Sequence, residues 1–203
     1  MPNRQKAVIF DMGGVILRTV DHTPREEMAK RFGVSSKELE RLVFMSPTSI
    51  QSEIGELSEE EHWRAVLKYF KQTDISHEQA YTEFFSGDQI DQKMLNFAKS
   101  LKSDYRIGLL SNAWVNARKH LGEHFDFIDV FDVSIFSAEV GVRKPDEKIF
   151  WVMLERMQVK PSETIFVDDL KENIEGAEKI GIKTILFNNP KNTIQKIQNL
   201  LEN

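Results

Sequence analysis

The chain has 203 residues, 40% hydrophobic and 29% charged, with a net charge of −5 and no cysteine. That is an ordinary globular composition, long enough for one core or for one core with an insertion. Mild acidity, without a Lys/Arg stripe interleaved with aromatics, argues against a nucleic-acid or acidic-membrane partner. The missing cysteines exclude disulfides, thiolate metal sites and Cys nucleophiles, and they fit a cytoplasmic setting.

The opening "MPNRQKAVIF" is basic and then apolar, yet Asp11 interrupts the apolar stretch and no small-residue cleavage site follows, so it reads as a strand and not as a leader. No apolar run approaches the length of a membrane span. Next, residues 18–88 read as helices throughout. "TPREEMAKRFG" starts with Thr23 as cap and Pro24 in its first turn and closes at Gly33; "SSKELERLVF", "SEEEHWRAVLKYF" with a Ser58–Glu61 capping box, and "SHEQAYTEFF" follow.

Beyond the helices lie four short, continuously apolar runs, over 105–112, 129–137, 163–169 and 182–188. Together with "KAVIFDM" they have the pattern of strands buried on both faces of a parallel sheet. Helical patterns separate them, one after Pro145, placed at a first helical position, and one after Asp169 that closes at Gly181. A last helix carries Ile194, Ile197, Leu200 and Leu201 on one face. The fold class expected is α/β, a doubly wound parallel sheet with right-handed crossovers. One interval breaks the rhythm: 100 residues separate Asp11 from Ser111 (111 − 11), whereas a βαβ unit takes ~30 or more. The expected organisation is therefore a core of residues 1–17 and 89–203 with a helical cap, residues 18–88, inserted after the first strand. Such an insert emerges at the carboxyl edge of the sheet, where open α/β sheets bind ligands.

The strand ends carry the chemistry. Asp11, Ser111–Asn112 and the Asp168–Asp169 pair all close predicted strands, and "FSAEVGVRKPD" delivers Lys144 just before a helix. Three carboxylates meeting in one crevice cannot all stay ionised without a cation, and hard oxygen ligands with no His or Cys favour Mg²⁺.

The set "VIFDMGGV", "LLSN", "RKPD" and "IFVDDLKENIEGA", in this order and spacing, resembles the haloacid dehalogenase (HAD) superfamily over essentially the whole chain. The insert resembles the small cap of its phosphatase branch, and the likeness extends to members with a glycine two places after the nucleophile, including bacterial α-glucose-1-phosphate phosphatases. The resemblance implies a Rossmann-like core and a Mg²⁺-dependent phosphatase acting on a small phosphorylated metabolite. Asp11 would be the nucleophile, forming an aspartyl-phosphate. Mg²⁺ would be held by Asp11, the Gly13 carbonyl, Asp168 and Asp169, with Asp169 the more direct ligand of the pair. Lys144 would neutralise Asp11 and the transferring oxygens, Ser111 and Asn112 would bind the phosphate, and Asn173 would orient the acidic pair. Most phosphatases of the superfamily carry an acid–base Asp where this chain has Gly13. Without it, either the leaving group is a good one, or activity is weak, or a cap acid among Asp21, Glu53 and Glu56 substitutes.

Three rival readings share parts of this pattern. A dehalogenase needs no divalent metal, so Asp168–Asp169 speaks against it. A phosphorylated receiver domain is shorter and places its acidic pair after the first strand. A non-enzymatic binding relative would keep the fold and the metal. His120 and His124 lack a third soft ligand and read as surface residues, and "MGGV" is no dinucleotide fingerprint. Trp114 is placed beside the pocket, Trp63 and Trp151 in the core, and Arg143 on an exposed loop. Nothing in the sequence points to a particular oligomeric state.

Overall fold

The computed structural model describes residues 6–125 and 127–202. Its first strand, β1 (Ala7–Phe10), is buried throughout; Val8 and Phe10 pack into one hydrophobic layer, Ala7 and Ile9 into another. Successive residues of a strand point to opposite faces, so an all-apolar run is stable only where both faces are covered. A side chain such as Phe10 contributes about 1.5–3 kcal/mol by that burial. A tight turn leads into β2 (Leu17–Thr19). Five helices follow, α1 (Thr23–Phe32), α2 (Ser36–Met45), α3 (Pro47–Glu53), α4 (Glu59–Tyr69) and α5 (His77–Phe85), and then β3 (Asp88–Ile90) pairs antiparallel with β2.

The rest alternates: α6 (Gln92–Leu101), β4 (Arg106–Ser111), α7 (Ala117–His124), β5 (Val133–Phe136), the short α8 (Ser137–Val140), α9 (Glu147–Met157), β6 (Thr164–Asp168), α10 (Lys171–Glu178), β7 (Lys183–Leu186) and α11 (Pro190–Glu202). Five parallel strands form one sheet in the order β5-β4-β1-β6-β7. Apolar residues of α6, α7 and α11 cover one face, those of α9 and α10 the other. This is the doubly wound α/β architecture expected, with β1 at its centre. Among the described residues, no helix is long and apolar enough to cross a membrane.

The helices between β2 and β3 bury their own cluster, which includes Met28, Leu39, Val43, Trp63 and Phe84. Trp114, from the loop after β4, joins that cluster at 7% exposure and donates its indole N–H to Ser49 Oγ at 3.2 Å. It therefore ties the insert to the sheet.

Several local expectations need correction. The β2–β3 ladder and α3 were not foreseen. Helix α1 has His22 at its cap position, with the Thr23 amide bonded to Asp21 Oδ1. Pro145 lies outside α9, which Asp146 caps. The strand expected over 129–137 is shorter, because a 3₁₀ turn takes up Ile128–Val130. Trp63 is fully buried, but Trp151 is 49% exposed, since it lies on the solvent side of α9. His120 is half-buried against Glu59 at 3.1 Å.

His62 on α4 has no exposed surface; its Nδ1 lies 2.9 Å from Thr48 Oγ1 and its Nε2 2.9 Å from the Val43 carbonyl. A carbonyl only accepts, so Nε2 carries the proton and the ring is neutral. Burial pushes its pKa down from 6.5 to about 4, against the pull of the Val43 carbonyl. The unfolded chain thus takes up this proton near pH 6.5 while the folded chain resists until near 4. The stability from neutral His62 is complete above pH 6.5 and is lost as pH falls towards 4. Urea unfolding is expected to show a loss of about 2–3 kcal/mol between pH 7 and 4.5 that His62→Gln removes. An unchanged slope in the variant would contradict it.

Candidate active site

All five parallel strands end at one edge, so their closing residues meet there. Asp11 follows β1, and its backbone N–H is fixed by the Val167 carbonyl at 2.8 Å. The residue is 6% exposed. Lys144, 1% exposed, spends its three ammonium protons on Asp11 Oδ1 at 2.6 Å, Asp168 Oδ2 at 2.7 Å and the Leu110 carbonyl at 2.9 Å. Burial works against that charge, but Asp11 and Asp168 outweigh it and hold the ammonium above the usual lysine range. Asp11 is pushed well up by burial; Lys144 pulls it down, and Asp168 and Asp169 push it up again. Asp169 is also raised, by burial and then by Asp168.

One carboxylate oxygen from each of Asp11, Asp168 and Asp169 lies within 4.8 Å of the other two. Asp168 has no exposed surface; Oδ1 accepts from the Leu170 N–H at 2.8 Å and Asn173 Nδ2 at 3.0 Å, while Oδ2 accepts from Lys144 and from the same Asn173 nitrogen at 3.1 Å. Three carboxylates, those of buried Asp11 and Asp168 and of exposed Asp169, face a single lysine charge, which leaves excess negative charge at the sheet edge. Among the described residues the donor set is all oxygen, with no His or Cys in the cluster. A hard divalent cation such as Mg²⁺ fits both the charge and the donors.

The neighbouring residues are placed as follows. Ser111, 2% exposed, ends β4, and its hydroxyl makes one long hydrogen bond among the described residues, 3.4 Å to the Asn112 carbonyl. The Asn112 amide grips the Lys144 backbone from both sides, accepting from its N–H at 2.8 Å and donating to its carbonyl at 2.9 Å. Its side chain is thus committed to holding the lysine loop. Arg143 is half-buried and ion-paired with Glu53 at 2.5 Å, so the exposed loop cation expected from sequence is not found.

The paired glycines separate into two problems. Gly14 has φ +77°, and a Cβ there would stand 2.2 Å from Asp169 Oδ2. Only glycine lets the turn pass so close to that carboxylate. Gly13 has no left-handed φ, and a Cβ on it would meet nothing within 4 Å. Space for a side chain is present, and the carboxylate is simply missing. Sequence reasoning overlooked two features, the Leu110 carbonyl under Lys144 and the demand on Gly14. A main-chain acceptor leaves no mark in a sequence; the second glycine was the available signal for the other.

Residues 8–187 match the haloacid dehalogenase-like hydrolase family. The chain belongs to that family. It is 30% identical to D-ribitol-5-phosphate phosphatase of Bacteroides thetaiotaomicron, over 88% of this chain and 90% of that protein. It is also 26% identical to mouse acyl-CoA dehydrogenase family member 10, where the match covers 97% of this chain but only 19% of the relative. A solved HAD family enzyme from B. thetaiotaomicron, in complex with magnesium and inorganic phosphate, superposes with a TM-score of 0.73 at 25% identity, covering 89% of this chain and 92% of the other. The two chains thus share the HAD fold, and in this chain Asp11 directly follows the central strand of the sheet.

Proposed function

We propose that this HAD-family protein is a Mg²⁺-dependent phosphatase of a small phosphorylated metabolite, a sugar or polyol phosphate, working through an aspartyl-phosphate. The observation that carries this reading is the buried Asp11, bonded to Lys144 and within 4.8 Å of two further carboxylates at the sheet edge. The named activity of the ribitol-phosphate relative and the magnesium and phosphate bound to the solved relative support it.

In this reading Asp11 attacks phosphorus and later leaves it, splitting one difficult displacement into two. Lys144 draws Asp11 towards its ionised form and aims it, and its charge stabilises the transferring oxygens. The Ser111 hydroxyl, lightly committed, holds a phosphate oxygen; Asn112 contributes through its backbone and by fixing Lys144. Magnesium, held by Asp11, the Gly13 carbonyl, Asp169 and Asp168, supplies charge that lets an anionic nucleophile meet an anionic phosphate. Asp168, its oxygens already hydrogen-bonded to Lys144, Asn173 and Leu170, serves mainly to hold Lys144, which leaves Asp169 the more direct ligand. Residues 18–88 act as a cap over this crevice, and the protein works in the cytoplasm.

Phosphate release across a panel of sugar and polyol phosphates tests the reading. Turnover is expected with Mg²⁺ and none after chelation. Mg²⁺ is also expected to stabilise the fold, by about 2.7 kcal/mol at a hundredfold excess over its Kd, and Asp169→Asn to abolish most of that gain. Turnover that persists in chelator would sink the mechanism.

A further inference from the structure

Glu53, the last residue of α3, is a buried carboxylate with 7% exposure that the mechanism above does not use. Its Oε2 lies 2.5 Å from Arg143 Nε, and Arg143 directly precedes Lys144. The chain just beyond Glu53 is seated tightly on the core: Gly55 has φ +77°, and a Cβ there would stand 2.8 Å from the Ala138 carbonyl. Glu53 also feels the charge of Lys144. The carboxylate therefore stands where the cap meets the loop that delivers the active-site lysine.

A clamp between cap and core is a weak reason for such a residue, because a buried ion pair adds little net stability over an apolar contact. The open space at Gly13 gives a better one. Asp21 is spent on the Thr23 amide at the surface, and Glu56 is exposed. Of the three cap acids considered, only Glu53 is buried beside the lysine loop.

We infer that Glu53 performs the proton transfers that Gly13 cannot, reaching the leaving group from the cap. This rests on the phosphatase reading. As an Asp11 oxygen bonds to phosphorus and the P–O bond to the leaving group breaks, protonated Glu53 gives its proton to the departing oxygen, releasing an alcohol. The Glu53 carboxylate then takes a proton from a water whose oxygen attacks phosphorus. The bond to Asp11 breaks, inorganic phosphate leaves, and both residues return to their starting states. Burial raises the Glu53 carboxyl, with Arg143 and then Lys144 drawing it partly back, which suits a group that must hold and release a proton in turn.

The test compares kcat for p-nitrophenyl phosphate, whose leaving group needs little protonation, with kcat for D-ribitol 5-phosphate, an alkyl ester that needs much. Glu53→Gln keeps size and loses the proton. It is expected to cut alkyl turnover by about 10²-fold or more and aryl turnover by less than about tenfold. The surviving aryl activity shows that the variant is folded. Adding Gly13→Asp to Glu53→Gln is expected to recover at least about tenfold on the alkyl ester, and Gly13→Asn nothing. Equal losses on both substrates, as a clamp alone would give, or a Gly13→Asp double variant no better than Glu53→Gln, would overturn the inference. Asp11→Asn run alongside separates the two readings: wild-type aryl turnover in that variant would mean that the phosphatase mechanism itself has failed.

Discussion

Asp11→Asn is expected to lower phosphate release by roughly 10⁴-fold or more, the scale on which an enzyme loses activity with its nucleophile. Asparagine keeps an oxygen for the Lys144 ammonium, which sits 2.6 Å from Oδ1, so the local geometry has no reason to collapse. It removes one of three crowded negative charges, and in metal-free buffer the variant is expected to melt no lower than the wild type. Rapid acid quenching during turnover should trap a phosphorylated Asp11 peptide from the wild type and none from the variant. Residual activity within tenfold of wild type, or phosphate on a different residue, would remove Asp11 from the reaction.

Lys144→Met should produce the largest combined effect on activity and stability. The ammonium satisfies Asp11, Asp168 and the Leu110 carbonyl at once, and it has almost no exposed surface. Methionine fills similar space with no charge. Asp168 is fully buried, and removing one partner from a buried ion pair typically costs about 3–5 kcal/mol. Urea unfolding in metal-free buffer is expected to show a loss of that size. Magnesium is expected to restore part of the stability, since it supplies positive charge to the same carboxylates, but not the turnover. A loss below about 1 kcal/mol would mean that the lysine does not carry the electrostatic load assigned to it.

The sheet was legible because its strands are apolar on both faces. Runs such as "AVIF" and "TIFVD" have no solvent side and are bounded by turn residues. The acidic ends were legible for the converse reason, since a carboxylate such as Asp11 beside such a run needs a partner. The β2–β3 pair was not, because three-residue strands with half-buried faces carry no periodic signal. Helix α3 was passed over because it is only seven residues long and mostly polar, although Ser46 followed by Pro47 is a start signal. Missing α3 hid the element that carries Glu53 to the core. Asn112 illustrates another limit. A polar residue after a strand invites a ligand role, but only coordinates reveal that its amide is bound to a backbone 32 positions away.

The central position of β1 has a consequence for the order in which the protein is made. Ala7 pairs with Arg106 on one side and with Thr164 on the other. The strand that leads into Asp11 thus leaves the ribosome before either of its partners, and the second of them emerges on the order of ten seconds or more later. Meanwhile most of the insert's own cluster, drawn from α1, α2, α4 and α5, is already available to assemble, lacking only Trp114. Until β4 emerges, "KAVIFDM" is an unpaired, strongly β-prone segment, the kind that associates with other chains when nascent protein is crowded. Asp11 and the basic residues ahead of it then act as gatekeepers against aggregation, so the carboxylate proposed to attack phosphate also guards the chain before it has folded.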